Sequence, residues 1–182
     1  MLQQFLLDKK HSEFQKSFKS YIEAQKHLEN SDILEKLAED GYTYLPSSEK
    51  GKYNDYLTQV IALEEVAKCY PKVANCMVEL FFAQEISKNQ SDCGGENKIA
   101  SLDLKTRVLY SEPRNTGLND LNTTFEKTET GYKLTGTKIF TPEVFDAKKF
   151  LVIGFLNDKP VFAEIEADKV KKVKTEVHFG ID

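Results

Sequence analysis

The apolar residues of this chain change their spacing once, near Asn97, and this change limits the folds that the chain can adopt. Before it, residues such as Val73, Met77 and Leu80 recur every three or four positions, which is the period of an α-helix. After it, apolar and polar residues alternate and β-branched residues become frequent, which is typical of strands. Helices followed by strands, without alternation, predict an α+β fold in two segregated parts.

The first part has the start and stop signals of four helices. Ser12 and Asp32 are each followed three residues later by Gln or Glu, so each predicts a capping box at a helix start. Gly41 predicts the end of the second helix, because glycine readily takes the left-handed backbone. Pro71 suits the first turn of a fourth helix. The third helix is indicated by apolar residues at helical spacing: Tyr56, Val60, Leu63 and Ala67.

The second part contains five predicted strands: Leu104–Tyr110, Leu121–Lys127, Tyr132–Phe140, Lys149–Phe155 and Val161–Ile165. Short turns between them favour antiparallel pairing in a small barrel or sandwich. The polar, glycine-containing segment Asn89–Asn97 is the predicted boundary. We therefore expect an N-terminal α-helical domain over residues 1–97 and an incomplete antiparallel β-barrel-like domain over residues 98–182.

An incomplete barrel would leave an edge and part of its apolar inner face uncovered. The apolar residues expected near that surface are Phe150, Val152, Phe155, Val161 and Ile165. We expect such a surface to be covered by a second copy of the chain or by a complementing chain.

Charge and composition exclude several classes of function. The formal net charge of −4 argues against a nucleic-acid-binding protein, which usually carries a basic excess on one face. The start has no signal-peptide pattern, and no apolar run approaches the length of a membrane span. Three cysteines without a CxxC pair indicate idle thiols in a reducing compartment. We expect a cytoplasmic protein without a membrane span.

The residues alone do not identify a catalytic centre. The chain has no Ser/His/Asp order, no phosphate-binding loop and no cluster of metal ligands at the usual spacings. Adjacent carboxylates such as Glu64 and Glu65 are expected to be solvated. We therefore assign no catalytic residue and no metal site.

Three ordered motifs in the second part carry a resemblance to a known family. Residues 111–113 read Ser-Glu-Pro, residues 131–140 read Gly-Tyr-Lys-Leu-Thr-Gly-Thr-Lys-Ile-Phe, and residues 146–153 read Asp-Ala-Lys-Lys-Phe-Leu-Val-Ile. This order resembles the middle domain of the acyl-CoA dehydrogenases. In the helical part, residues 33–42 (Ile-Leu-Glu-Lys-Leu-Ala-Glu-Asp-Gly-Tyr) and residues 62–67 (Ala-Leu-Glu-Glu-Val-Ala) resemble segments of the same family, so the likeness covers nearly the whole chain.

The resemblance implies a fold and a chemistry. Members of the family bind FAD at the barrel and remove two hydrogens from adjacent carbons of an acyl-CoA thioester, with a glutamate as base. In the family a C-terminal helical bundle completes the site and usually supplies that glutamate. The chain ends before the position of that bundle, so we expect the bundle to be absent and the chain to be inactive alone.

Four residues correspond to flavin-facing positions of the family: Tyr110, Ser111, Phe140 and Thr141. The resemblance places Tyr110 and Ser111 at the strand end that meets the edge of the flavin ring. It places Phe140 where an aromatic side chain packs beside that ring. For Glu112 we expect a structural contact at the corner of the domain and no catalytic role.

The sequence also departs from the family at this site. The family has small residues after Glu-Pro, whereas this chain has Arg114 there and Gly117 in place of a substrate-contacting serine. Pro142 replaces a residue with a hydroxyl, and proline also lacks an N–H donor. We therefore expect FAD to bind weakly if it binds.

These observations leave three interpretations of function. The first is an acyl-CoA dehydrogenase-like flavoprotein, an oxidoreductase of fatty acid metabolism that acts on CH–CH bonds of an acyl-CoA or related thioester. It would be represented here by its first two domains, and it would work as a homo-oligomer or with a complementing chain. The second is a non-catalytic binding or scaffold protein derived from this fold. The third is a flavin-dependent monooxygenase on the same fold, since a fold does not fix a chemistry.

Overall fold

A computed structural model describes residues 7–90, 104–114, 117–141 and 146–173 of the chain. The chain divides into two compact units, residues 1–98 and residues 99–182, which are described separately below. The segment Asn89–Asn97 lies outside the described residues from residue 91 onward. No helix in the described ranges is both long enough and apolar enough to cross a membrane.

The helices of the first unit are α1 (Lys9–Ala24), α2 (Asn30–Glu39), α3 (Tyr56–Cys69) and α4 (Pro71–Gln90). Two predicted helix starts were wrong. Helix α1 is capped by Asp8, whose side chain accepts from the backbone N–H of His11, so Ser12 lies inside the first turn. Helix α2 begins at Asn30 after Glu29, so Asp32 is likewise inside its helix. For α1 the physical reason is that the side chain of Asp8 already satisfies one of the free N–H groups of the first turn. For α2 the N-cap residue Glu29 makes no such bond.

The end of α2 at Gly41 is confirmed. Gly41 has a φ of +84°, and its N–H donates to the carbonyl of Ala38 at 3.1 Å. The N–H of Tyr42 donates to the carbonyl of Leu37 at 2.7 Å, which completes a Schellman motif.

Helix α3 is present as predicted, but the apolar residues that indicated it do not form its buried face. Tyr56 and Val60 are each about half exposed, at 53% and 52%. The buried residues of α3 are Thr58, Gln59, Ile61, Ala62, Glu65 and Val66. Partners satisfy two of the polar residues on this face, Thr58 and Glu65, whereas the Nε2 of Gln59 has no hydrogen-bond partner among the described residues. Glu65, expected to be solvated, is buried and accepts from Gln15 Nε2 at 3.0 Å and from the Lys68 ammonium at 2.7 Å.

The second unit contains one five-stranded sheet in the part of the chain that the structure describes. Its strands are β1 (Thr106–Leu109), β2 (Thr124–Thr128), β3 (Gly131–Thr135), β4 (Lys149–Leu156) and β5 (Lys159–Glu166). Each lies within one of the predicted strand regions or extends a few residues beyond it. The longest contact is the hairpin of β4 with β5, in which Phe150 is paired with Ile165.

The expectation of purely antiparallel pairing was wrong. The β2–β3 and β4–β5 pairs are antiparallel, but β4 pairs in parallel with β1 and, at Phe155, with β2. Parallel strands need a long connection, and here the chain between β1 and β4 contains the β2–β3 hairpin. The described strands form a mixed sheet, and no closure into a barrel is seen among them.

The core of the second unit lies against one face of β4. Phe150 and Val152 are buried there with Leu109 of β1 and Phe125 of β2. Phe150 and Val152 were expected near an uncovered surface, and this expectation is wrong, because strands β1, β2 and β5 supply apolar side chains on the same face. Val161 and Ile165 of β5 are partly buried against this core.

Candidate functional site

The candidate site is formed by two chain segments that leave the sheet. The first segment follows β1 and carries Tyr110 and Ser111; the second follows β3 and carries Phe140 and Thr141. The N–H of Ile139 donates to the carbonyl of Ser111 at 2.9 Å. This backbone hydrogen bond brings together two segments that are far apart in the sequence, and it places Phe140 one residue from the junction.

Phe140 has an unusual backbone and an exposed side chain. Its φ is +56°, in the left-handed region that side chains with a Cβ rarely adopt, at a typical cost of about 1–2 kcal/mol. The side chain is 66% exposed. Non-glycine residues in this region cluster at binding sites and active sites, where the strain fixes the direction of a side chain.

The other predicted site residues are less exposed. Tyr110 is about one-third exposed, whereas Ser111 and Thr141 are half-buried. Pro142, whose missing donor was expected to weaken flavin binding, lies outside the described residues. The structure therefore places the four predicted residues on two adjoining segments, with the aromatic side chains of Tyr110 and Phe140 accessible to a ligand.

A buried ion pair holds the two segments together. The ammonium of Lys138 donates to a carboxylate oxygen of Glu112 at 2.7 Å and to the carbonyls of Tyr110 and Ile153 at 3.1 and 2.5 Å. The side chains of Lys138 and Glu112 are 7% and 2% exposed. Lys138 thus connects the segment after β3 to the segment after β1 and to β4.

Glu112 receives further donors from the start of β2. Its carboxylate accepts from the backbone N–H of Asn122, from the N–H of Thr123 at 3.0 Å and from the Thr123 hydroxyl. The structural contact expected for Glu112 at this corner is confirmed by these bonds.

Electrostatics keep this pair charged. Burial raises the pKa of Glu112, but the hydrogen bonds from Lys138, Thr123 and Asn122 outweigh burial and lower that pKa to about 2. Burial lowers the pKa of Lys138, and its contact with Glu112 opposes that shift. The carboxylate accepts from several donors, which keep it ionised and make it a weak base.

The spacing of residues around Lys138 does not indicate its role. Its position in a run of alternating residues predicts a side chain facing solvent, and its partner lies far away in the sequence. The contact could be predicted only from knowledge that the Glu of Ser-Glu-Pro pairs with this lysine, and the spacing of apolar residues does not contain that information.

Comparison with known proteins gives matches only at the level of structure. No protein-family model matches the chain, and no curated protein sequence matches it. Three solved structures illustrate the likeness. An acyl-CoA dehydrogenase from Geobacillus kaustophilus has 19% identity and a TM-score of 0.63, over 90% of this chain and 50% of that chain.

The second structure is the prolyl acyl carrier protein oxidase AnaB, with 20% identity and a TM-score of 0.67, over 89% of this chain and 50% of that chain. The third is PigA with FAD and proline, with 20% identity and a TM-score of 0.61, over 90% of this chain and 49% of that chain. The chain spans about half the length of these proteins. At this level of identity the likeness establishes the fold.

Proposed function

We propose that this chain, whose fold is acyl-CoA dehydrogenase-like, is the flavin-binding part of an oxidoreductase that acts on a thioester substrate. The observation that carries the proposal is the hydrogen bond from Ile139 to Ser111, which joins the two segments that the family resemblance links to flavin. It puts the exposed ring of Phe140 next to that junction.

The residues present fit a planar aromatic group. Phe140 presents an exposed ring on a backbone that is fixed at an unfavourable angle, and Tyr110 adds a second accessible ring on the adjoining segment. Aromatic pairs prefer offset-stacked or edge-to-face contacts, which are worth about 0.5–1.5 kcal/mol beyond the area that they bury. Ser111 and Thr141 add hydroxyl groups that can donate to or accept from polar atoms at the edge of such a ring.

Each of these residues would have a separate task. Phe140 would pack beside the flavin ring, and Ser111 and Thr141 would bond its polar edge. The bound flavin would accept a hydride from the substrate. Glu112 and Lys138 would hold the two segments at a fixed separation without touching the ligand, because both side chains are buried in bonds to the protein.

The proposal extends to the identity of the flavin, the class of substrate and the assembly of the protein. The PigA structure holds FAD and proline, and AnaB is an oxidase of a prolyl acyl carrier protein, so related folds work with FAD and with carrier-bound acyl groups. We propose FAD as the flavin, bound weakly, and an acyl-CoA or related thioester as the substrate. The protein would work in the cytoplasm as a homo-oligomer or with a complementing chain, in fatty acid metabolism or a related pathway.

A specific observation supports the scaffold interpretation as a second candidate. Arg114 is exposed and has a φ of +67°, in a position where the family has small residues that let a ligand approach. A long side chain on a constrained backbone would obstruct that approach. A protein that uses the fold only as a binding surface would tolerate this change.

The test is a fluorescence titration of FAD and FMN with the purified 182-residue chain. We expect quenching that saturates in the micromolar range, and we expect Phe140→Ala to weaken binding about tenfold, the equivalent of about 1.4 kcal/mol. Tyr132→Ala is the matched control, because Tyr132 is an equally exposed aromatic residue on β3 and lies away from the junction. Absence of quenching by either flavin at high micromolar concentration would favour the scaffold protein.

A further inference from the structure

An apolar stripe on helix α3 lies on the outside of the first unit. Its residues recur at spacings of four, three and four, as the core positions of a coiled coil do, and they are Tyr56, Val60, Leu63 and Ala67. We call these four residues the α3 seam. Leu63 is half-buried and the other three are exposed, while the opposite face of the helix is buried. A helix that is apolar on both sides is normally covered on both sides.

Helix α4 extends the apolar surface beside the α3 seam. The Tyr56 hydroxyl donates to Glu85 Oε1 at 2.6 Å, so the start of α3 lies next to the end of α4 and the two helices are antiparallel. Phe82 and Val78 precede Glu85 by about one and two turns, and they are 46% and 50% exposed. Exposed apolar side chains that continue from one helix to its neighbour indicate an interaction surface.

The α3 seam is complementary in size to a second copy of itself. A two-fold axis between Val60 and Leu63 places Val60 of one copy opposite Leu63 of the other, and Tyr56 opposite Ala67. The largest side chain of the seam then meets the smallest, which fills the space between the helices without overlap. A parallel arrangement would put Tyr56 against Tyr56 at one end and Ala67 against Ala67 at the other, so one end would be crowded and the other empty.

The charges at the two ends of the α3 seam follow the same symmetry. Asp55 precedes the helix and Lys68 lies near its end, and the two-fold axis places each of them opposite the other. Their side chains are 37% and 50% exposed, and each already forms an ion pair at 3.0 Å in its own chain, Asp55 with Lys10 and Lys68 with Glu64. An antiparallel pair therefore brings opposite charges together at both ends, whereas a parallel pair would bring like charges together.

We propose that the protein forms a two-fold dimer in which the α3 seams of two copies pack antiparallel, with Phe82 and Val78 at the rim. Helices α3 and α4 of the two copies then form a four-helix arrangement that removes the apolar stripe from water. The surface belongs to the first unit, so the dimer does not rest on the flavin contacts proposed at Phe140. The seam is short, and we therefore expect a Kd in the micromolar range.

The first experiment is sedimentation velocity of the 182-residue chain from low to high micromolar concentration. We expect the mass to rise from that of one chain to that of two. Val60→Glu should weaken dimerisation at least about tenfold, because it places two carboxylates near the axis in an apolar contact. Val173→Glu is the matched control, since it makes the same change at an exposed valine of the second unit and should dimerise like the unmodified chain. A monomer at every concentration, or a dimer that Val60→Glu leaves unchanged, would overturn the proposal.

Cysteine cross-linking tests the direction of packing. The double variant Tyr56→Cys/Ala67→Cys places thiols opposite each other only across an antiparallel seam, and mild oxidation should give a covalent dimer. Each single variant places its thiols opposite each other only in a parallel pair, and should give no more covalent dimer than the unmodified chain, whose own cysteines set the background. Cross-linking of the single variants would overturn the antiparallel arrangement. Absence of a covalent dimer in the double variant would overturn the interface.

Discussion

Phe140 is the residue at which stability and the proposed function conflict. Its φ of +56° is unfavourable for any residue with a Cβ, and little apolar area is gained in return, because two-thirds of the side chain is exposed. A ring kept in this conformation is consistent with selection for the direction in which it points. The same argument does not apply to Tyr132, which is exposed on a regular strand.

Replacement of Phe140 by glycine should therefore separate the two properties. We expect Phe140→Gly to raise the free energy of unfolding by about 1 kcal/mol, because glycine adopts this backbone without strain, and to weaken flavin binding. Urea denaturation and the flavin titration measure the two effects. Asn157→Gly is the control: Asn157 has a φ of +49° in the β4–β5 turn, and asparagine tolerates it better, so the gain should be smaller and flavin binding unchanged. A large loss of stability in Phe140→Gly would show that the ring is needed for folding.

The Glu112–Lys138 pair predicts how the stability of the chain depends on pH. The pKa of Glu112 is lowered from 4.5 to about 2 in the folded state. Its contribution to the free energy of unfolding is therefore complete at pH values above the pKa of the unfolded chain. That contribution should be lost progressively as the pH falls from about 5 to about 2. We expect Glu112→Gln to be less stable than the unmodified chain at pH 7, because it leaves the buried Lys138 ammonium without its partner.

The measurement is urea denaturation of both proteins at several pH values. The difference between their free energies of unfolding should shrink as the pH falls from about 5 to about 2. The double variant Glu112→Gln/Lys138→Met should recover part of the lost stability, since it removes the uncompensated charge. A difference that stays constant between pH 7 and pH 3 would contradict the assignment of the low pKa to Glu112.

At the scale of elements, the contact of β2 with β4 depends on one glycine. A Cβ on Gly154 would lie 2.6 Å from the carbonyl oxygen of Thr123, the same oxygen that accepts from the N–H of Phe155 at 2.8 Å. A Cβ there would also lie 2.9 Å from the ring of Phe125. Glycine is thus required where the start of β2 approaches β4.

We expect Gly154→Ala to lower the free energy of unfolding by about 1–3 kcal/mol, the usual range for excess volume in a packed interior. Thermal or urea denaturation measures the loss. Gly117→Ala is the matched control, because a Cβ at Gly117 meets nothing within 4 Å and its φ of −168° is extended backbone. Equal stability of the two alanine variants would show that β2 can shift away from β4 at little cost.

Elements with a local signal were predictable from the sequence, and long-range pairing was not. The helix α4 and the strand β4 follow from the spacing of apolar residues within each segment. The start of α1 was misplaced because Asp8 and Ser12 lie about one turn apart, and aspartate and serine have nearly equal preference for the N-cap position. The parallel pairing of β1 with β4 joins Thr106 to Lys149, and no periodic pattern specifies such a distant partner.

The candidate site was predictable to a similar extent. The four proposed flavin contacts came from a family resemblance in short motifs, and the structure brings their two segments side by side through Ser111 and Ile139. The burial of Lys138 and of Arg107 was not predicted, because both positions look like ordinary polar residues of an alternating strand. Burial of a charge is a property of the tertiary packing.

At the scale of the whole molecule, the carboxylate of Glu112 lies beside the candidate site but is a poor base. Donors from Lys138 and from the start of β2 lower the pKa of Glu112 to about 2, so its carboxylate has little affinity for a proton. A general base must have a lone pair within hydrogen-bond reach of the substrate proton, and its loss typically reduces the rate by a factor of about 10²–10⁴. We expect the 182-residue chain alone to show no acyl-CoA-dependent reduction of a dye above a buffer blank.

The assay includes added FAD and an active acyl-CoA dehydrogenase as a positive control. Addition of a separately expressed complementing chain, once one is identified, should restore the reaction. Turnover by the 182-residue chain alone would show that one of its own groups takes the proton, and Glu112→Gln would then test whether that group is Glu112.

The arrangement of the strands also sets an order for folding. Strands β4 and β5 are joined by a tight turn at Asn157 and Asp158, so this hairpin closes a short loop and can form early. Among the described strands, β1 pairs only with β4, which is synthesised some forty residues later, since the pairing begins with Thr106 beside Lys149. On the ribosome, the segment that carries Tyr110 therefore cannot dock beside the centre of the sheet until β4 has emerged.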